Sequence, residues 1–89
     1  MTPAERIAQD ILDEYRRAQR LFPNFNSPHE AWAVIWEEVD ELWQHVRSHH
    51  AQRDNAAMLK EALQVGAMAM RFILDIGGAN YRPSAENNQ

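Results

Sequence analysis

The stretch Trp36-Glu37-Glu38-Val39-Asp40-Glu41-Leu42 combines acidic and apolar residues at helical spacing. Residues three or four apart share a helix face, so Glu41 is a neighbour of both Glu37 and Glu38. A second acidic stretch follows about twenty residues later, Lys60-Glu61-Ala62-Leu63-Gln64. Two such helices packed together would gather several carboxylates, which repel one another unless a cation or protons lie among them. The stretches therefore admit two interpretations, a divalent-metal site or the solvated faces of two helices.

Helix starts are marked by capping residues. Thr2-Pro3-Ala4-Glu5 and Ser27-Pro28-His29-Glu30 each offer a hydroxyl N-cap, a proline at the first helical position and a glutamate three residues after the cap. Pro23 ends the first helix, Asp54 or Asn55 can cap a third, and Gly77-Gly78 ends it. The sequence predicts an all-α chain, an antiparallel bundle of three main helices at about residues 3–22, 28–49 and 55–76.

Length and composition restrict the class of protein. The chain has 89 residues, enough for one domain (1–89) that buries a modest fraction of its surface when alone. It has no cysteine, so any metal site must use oxygen and imidazole ligands. The net charge of −4 argues against nucleic acid as a partner. No membrane-spanning run or signal-peptide pattern is present, which favours a soluble cytoplasmic protein with no membrane partner. The polar, aperiodic residues 79–89 are expected to form a flexible tail.

The second helix carries a broad apolar stripe, which we expect to face the core. Its members are Trp32, Ile35, Trp36, Val39, Leu42, Trp43 and Val46. Glu38 lies at the border of this stripe, with Glu41 and Glu37 progressively further round, so these acids can face a crevice beside the core. His45 and His49 are four residues apart and could chelate zinc. A pair of partly exposed histidines is the simpler interpretation.

The third helix is apolar around most of its circumference. An inner stripe is predicted from Leu59, Ala62, Leu63, Gly66, Ala69, Met70 and Ile73, and further apolar residues cover most of the remaining surface. A helix that is apolar nearly all round is buried nearly all round, and two other helices cannot surround it. We therefore expect a second copy of the chain to cover it, in a homodimer or a dimer of dimers. The glycine at 66 indicates that close backbone approach is needed there.

The polar residues of the third helix fall on one line, formed by Glu61, Gln64, Arg71 and Asp75. This polar seam is either a solvent-facing strip in which Arg71 pairs with Asp75, or one wall of a charged cleft whose other wall holds Glu38 and Glu41. The arginines of the first helix, Arg17 among them, are interpreted as a solvated face.

The order Glu37-Glu38-x-x-Glu41, then Glu61-x-x-Gln64 after nineteen residues, resembles a known two-part motif. It is similar to the EExxE and ExxD segments of the all-α nucleoside triphosphate pyrophosphohydrolases of the MazG-like type. The similarity covers the second and third helices, from about residue 26 to 75. The chain departs from the pattern at Gln64, where the family has aspartate. Glutamine offers a carbonyl oxygen to a metal but no negative charge.

The resemblance implies a helical dimer that uses Mg²⁺, with Mn²⁺ possible, to cleave a nucleoside triphosphate to the monophosphate and pyrophosphate. Carried onto this chain, Glu38, Glu41, Glu61 and Gln64 would be the metal ligands. Glu37 and Glu38 would be the catalytic residues, with Glu37 as a further ligand or as the base that orients water.

Two basic residues near the second acidic stretch, Lys60 and Arg71, are the predicted phosphate contacts. The glutamine at position 64 also motivates an alternative, a non-catalytic MazG-like helical dimer that binds nucleotide or a protein partner. A DNA-binding helical module is a weaker third possibility, because the chain is acidic overall.

Overall fold

The computed structural model describes residues 1–78 and 81, and within them the protein is all-α with no strand. The helices are α1 (Pro3–Leu21), α2 (Pro28–Val46) and α3 (Asn55–Phe72). A 3-10 helix at His50–Gln52 precedes α3, and a π-helical turn at Ile73–Gly77 continues it. The predicted all-α class and three main helices are thus confirmed. The predicted flexible tail, 79–89, lies outside the described residues except for Tyr81. None of the described helices is long and apolar enough to cross a membrane.

Local capping chemistry sets the helix starts. The Thr2 hydroxyl accepts a hydrogen bond from the Glu5 N–H at 3.1 Å, and the Glu5 carboxylate accepts one from the Thr2 N–H at 2.9 Å, as predicted for α1. In α2 the Ser27 hydroxyl accepts from the Glu30 N–H at 3.1 Å. The Glu30 carboxylate reaches one residue further back than expected, to the N–H of Asn26 at 3.1 Å. Both predicted starts are correct, and only the second half of the α2 capping box differs.

α2 ends at Val46 rather than near residue 49 as predicted. The guanidinium of Arg53 donates to the carbonyl of Val46 at 2.7 Å and to that of Ser48 at 3.3 Å. These bonds occupy carbonyls that a longer helix would use, so the chain turns early. Asp54, one of the two predicted caps, starts α3 by accepting from the N–H of Ala57 at 3.0 Å.

α3 lies at the centre of the molecule and packs against both α1 and α2. The buried apolar residues are small in number and mostly small in size: Ala18, Phe25, Ala31, Ala67 and Met68. Among the described residues no large side chain is fully buried. The single chain therefore has a weak core, as its length suggests.

The predicted core stripe of α2 is wrong for its tryptophans. Trp32, Trp36 and Trp43 are 57%, 56% and 54% exposed. The face of α2 that packs inward instead holds Ala31 and Glu38, which the sequence places about a quarter-turn to one side. A helix with a broad apolar arc can bury in its own chain only the part that a neighbouring helix covers, and here the tryptophan half is left uncovered.

The predicted inner stripe of α3 is likewise turned outward at several positions. Leu59 is 64% exposed and Ile73 is 44% exposed, whereas Arg71, on the polar seam, is only 4% exposed. Gly66 instead faces α1, where an added Cβ would lie 3.1 Å from Cδ1 of Ile11. The small size of residue 66 is therefore used within the chain, to bring α1 close to α3.

Candidate metal centre

A cleft of about 500 Å³ opens between α1 and α2, with α3 as its floor. It is lined by Glu14, Arg17, Ala18, Phe22, Pro23, Phe25, Glu30, Val34, Glu37, Glu38, Gln64, Met68 and Arg71. The polar seam of α3 contributes Gln64 and Arg71 to the floor, and the apolar Met68 lies between them. Of the two predicted arrangements of the seam, the structure thus shows the wall of a charged cleft, although Arg71 also lies beside Asp75.

Three carboxylates meet at one end of this cleft. One oxygen from each of Glu38, Glu41 and Glu61 lies within 4.8 Å of the other two. Glu38 and Glu41 are one turn apart on α2, and Glu61 approaches from α3. Glu38 and Glu61 are half-buried and Glu41 is exposed. The sequence argument that the two acidic stretches face each other is correct for these three residues.

The electrostatics of this acidic triad (Glu38, Glu41, Glu61) are unfavourable in the protein alone. Oε2 of Glu38 and Oε2 of Glu61 are buried and have no hydrogen-bond partner in the described part of the chain. Burial, together with the charges of Glu41 and Glu61, raises the pKa of Glu38 to about 7. The pKa of Glu41 is also raised, first by the neighbouring Glu61 carboxylate and then by burial. At neutral pH the triad therefore favours a bound proton or cation.

The donor set fits a hard divalent cation. Mg²⁺ binds oxygen at about 2.1 Å in octahedral geometry, which puts its ligand oxygens roughly 3–4 Å apart. The triad oxygens already lie within 4.8 Å of one another, so small side-chain rotations would bring them to that spacing. Gln64 lies one turn from Glu61 and lines the cleft, as does the exposed Glu37. All the residues predicted for metal binding and catalysis thus lie at or beside one end of the cleft.

Arg71, predicted to contact phosphate, is held by the loop between α1 and α2. Its guanidinium donates to the Pro23 carbonyl at 2.8 Å and lies 4.2 Å from the centre of the Phe25 ring. Asp75 lies 3.9 Å from the Arg71 guanidinium and accepts a hydrogen bond from the Phe25 N–H at 3.0 Å. Phe25 is 7% exposed, so its ring fills the junction between this loop and the helices. That Arg71 contacts phosphate stays a prediction. Its observed contacts show that it holds the loop against α3.

Lys60 and Arg17 lie on the α1 side of the cleft. Lys60 is exposed and lines a neighbouring hollow together with Arg17, which also lines the main cleft. Arg17 forms an ion pair with Glu14 at 2.6 Å, and this hydrogen bond, with the charges of Arg17 and Lys60, lowers the pKa of Glu14. The helical pattern alone predicts a solvated face for Arg17. Only the packing of α1 on α3 shows that it borders the cleft.

The zinc interpretation of His45 and His49 gains nothing from the structure. Nδ1 of His49 accepts a hydrogen bond from the Ala51 N–H at 3.3 Å. Within residues 1–78 and 81, the acidic triad is the group of ligand residues close enough to hold a metal, and it contains no histidine.

Fold and site together define an all-α protein with a carboxylate-lined candidate metal centre. No protein-family model, curated protein or solved structure matches the chain. The MazG-like resemblance stays a prediction from the two-part motif.

Proposed function

We propose that this protein is a MazG-like, Mg²⁺-dependent nucleoside triphosphate pyrophosphohydrolase that converts a (d)NTP to the (d)NMP and pyrophosphate. The observation that carries the proposal is the acidic triad, whose oxygens lie within 4.8 Å of one another at the end of a cleft. Two of its oxygens are buried without a partner in the described chain, which a bound cation would supply. The cleft, at about 500 Å³, has the usual size of a small-molecule site.

In this proposal the residues of the chain bind the metal and the substrate, position the attacking water and accept its proton. Glu38, Glu41 and Glu61 would hold Mg²⁺ or Mn²⁺, whose chemistry is to neutralise phosphate charge and lower the pKa of water. Gln64 offers a neutral carbonyl oxygen to the same ion. Glu37, exposed on the cleft wall, orients the attacking water and takes its proton. The water oxygen bonds to the α-phosphorus as the bond to the bridging oxygen breaks, and pyrophosphate leaves.

The phosphates also need positive charge from the chain. Lys60 is exposed near Gln64, whereas Arg71 is buried and held by the loop, so Lys60 is the better placed of the two predicted phosphate contacts. Both are retained in the proposal as groups to test by substitution.

The test is pyrophosphate release from a panel of ordinary and modified nucleotides, with Mg²⁺, Mn²⁺ or a chelator present. We expect release that depends on the divalent ion. Asp40→Asn is a suitable control, because Asp40 is an exposed acid of α2 outside the triad. If the wild-type protein releases no pyrophosphate from any nucleotide at high protein concentration, the hydrolase proposal is wrong.

Homodimerisation is the second part of the proposal, and the uncovered apolar surface supports it. Trp32, Trp36 and Trp43 on α2 and Leu59 on α3 are all more than half exposed. Large apolar side chains that are left exposed in a single chain commonly mark an interface with another protein chain.

Analytical ultracentrifugation tests the oligomeric state. We expect a mass of two or four chains for the wild-type protein. Trp36→Glu places a charge in the exposed apolar face and is expected to shift the mass toward one chain. A wild-type protein that stays at 10.3 kDa at high concentration contradicts the dimer.

A non-catalytic helical dimer that binds nucleotide or a protein partner is the alternative. Gln64 favours it, because the position brings no negative charge to the metal and Mg²⁺ affinity depends on ligand charge. Calorimetry separates the two functions. Nucleotide binding that yields no product, and that is equally tight with and without a divalent ion, supports the alternative.

A further inference from the structure

The lining of the cleft carries more negative than positive charge. Within the described part of the chain, four glutamates line it and two cationic residues, Arg17 and Arg71, lie among them. Arg71 is 4% exposed, and the Pro23 carbonyl and the Phe25 ring already occupy its guanidinium. The side chain of Arg17, in contrast, is 49% exposed. Arg17 is therefore the cation of this lining that an anionic ligand can reach.

The Arg17 guanidinium is fixed on one edge and open on the other. Its Nε donates to both oxygens of the Glu14 carboxylate, at 3.1 and 2.8 Å, and its Nη2 donates to Oε1 of Glu14 at 2.6 Å. The Glu14 side chain is 15% exposed, so it anchors the guanidinium to the wall of the cleft. Arginine has five N–H donors in a planar fork, and those of Nη1 have no protein partner within the described residues. The open edge can donate to two oxygens of a phosphate group.

Arg17 lies where the cleft meets the neighbouring hollow that Lys60 lines. Glu14, Arg17 and Gln64 line both spaces. Gln64 follows Glu61 by three residues on α3, which is about 4.5 Å along the helix, so this junction lies one helical turn from the triad. A chain of phosphate groups that starts at the triad and crosses Gln64 would bring its far end to Arg17. The other charged groups of the hollow are two acids and two bases, which balance, so the attraction for an anion is at Arg17 itself.

We propose that Arg17 determines specificity for phosphate number, because its guanidinium binds the terminal phosphate of a nucleoside triphosphate. The direction of the ligand rests on the proposed function, in which the phosphate that is attacked lies at the triad. Arg17 belongs to α1, whereas the two-part acidic motif belongs to α2 and α3. A nucleoside diphosphate is one phosphate too short to reach Arg17, so this contact makes the site prefer triphosphates.

Calorimetry with Mg²⁺ and inorganic ligands measures the contact without turnover. The ligands are the non-hydrolysable imido analogues of tripolyphosphate and of pyrophosphate. Arg17→Met is expected to weaken binding of the tripolyphosphate analogue by about tenfold or more and to leave that of the pyrophosphate analogue unchanged. Arg17→Lys keeps the charge and is expected to recover part of the loss. Arg16→Met is the matched control, because Arg16 is the exposed neighbour on α1 and lines neither the cleft nor the hollow.

The outcomes separate this inference from the hydrolase proposal. If the tripolyphosphate analogue binds through Arg17 in a protein that releases no pyrophosphate from any nucleotide, the contact is supported and the hydrolase is wrong. If the protein hydrolyses nucleotides, but Arg17→Met leaves the ratio of kcat/KM for a triphosphate to that for its diphosphate unchanged, the hydrolase stands and the contact is wrong. Equal losses for both analogues, equal effects of Arg17→Met and Arg16→Met, or no binding of the tripolyphosphate analogue to the wild type also overturn the contact.

Discussion

α3, together with the turn that continues it, contributes to two polar clusters that have opposite hydrogen-bonding states. At its C-terminal end Arg71 and Asp75 are both partnered, through the Pro23 carbonyl and the Phe25 N–H. Near its start Glu61 meets Glu38, and each has a buried oxygen without a partner in the described chain. Both clusters belong to the single polar seam that the sequence predicts on this helix.

The difference between them is that contacts within the described chain explain one cluster and leave the other unexplained. Buried polar groups are normally hydrogen-bonded, so the Arg71 cluster is explained fully by the loop that it holds. The acidic triad is not explained by any contact within the described chain. Like charges gathered at a partly buried site cost stability, and a bound cation would offset that cost.

Removing one carboxylate from the triad should have the largest effect. Glu38→Gln keeps the size of the side chain but removes a charged ligand, so we expect pyrophosphate release to fall at least about a thousandfold. The same variant should fold as stably as the wild type, or more so, in the absence of metal. Pyrophosphate assays and thermal unfolding in chelator measure the two effects. A variant that keeps its activity, or one that loses stability without metal, contradicts the functional interpretation.

Removing the charge of Arg71, at the other end of the seam, should mainly lower the stability of the fold. Arg71→Met leaves Asp75 buried without its cation and removes the bond to the Pro23 carbonyl, so we expect the free energy of unfolding to fall by about 3–5 kcal/mol. Urea unfolding at one protein concentration measures it. Arg16→Met, at an exposed position of α1, is the control and should change stability by less than about 0.5 kcal/mol. If the two variants have the same stability, Arg71 does not hold the loop.

The pH dependence of stability distinguishes the triad from an ordinary acidic surface. Folding raises the pKa of Glu38 from 4.5 to about 7, so the folded state binds more protons than the unfolded state between these values. In chelator, the free energy of unfolding should therefore fall as pH rises from about 4.5 to 7, by roughly 1–2 kcal/mol once solvent screening of this half-exposed group is allowed for.

Two comparisons support the assignment of this pH effect. Glu38→Gln should flatten the slope, and saturating Mg²⁺ should restore stability above pH 7, because the ion binds the deprotonated triad. If the free energy of unfolding rises with pH in chelator, or does not change when Mg²⁺ is added, the triad is solvated and holds no cation.

Changing Gln64 should have the smallest effect. Gln64→Asp restores the charge present in the MazG-like motif, so we expect Mg²⁺ to bind several-fold more tightly and kcat/KM to be preserved or raised. Titration with Mg²⁺ under assay conditions measures both quantities. A several-fold loss of kcat/KM would show that the amide of Gln64 has a role of its own.

Much of this fold is readable from the sequence, because its determinants are local. Thr2, Ser27 and Asp54 cap the helices through bonds to residues three positions later, and such bonds need no knowledge of the fold. The proximity of Glu38 and Glu61 also follows from helical periodicity, once two helices pack with their acidic borders together.

Other features depend on packing that periodicity does not specify. The apolar arc of α2 is broad, and the sequence pattern gives the centre of the arc but not the half that α3 covers. The pattern therefore predicts a core position for Trp32, which is exposed in the structure. The bond from Arg71 to the Pro23 carbonyl joins residues 48 positions apart. Likewise, Phe22 and Arg17 border the cleft only because α1 lies beside α3, and nothing in their local sequence indicates it.

The placement of the tryptophans has a practical consequence. All three tryptophans of the chain lie on α2 and are more than half exposed in the single chain. Their fluorescence should therefore shift to shorter wavelength when a second surface covers them, with little contribution from changes elsewhere in the protein. Dilution followed by emission spectroscopy would then report association without any attached label, and the protein would carry its own optical probe of assembly.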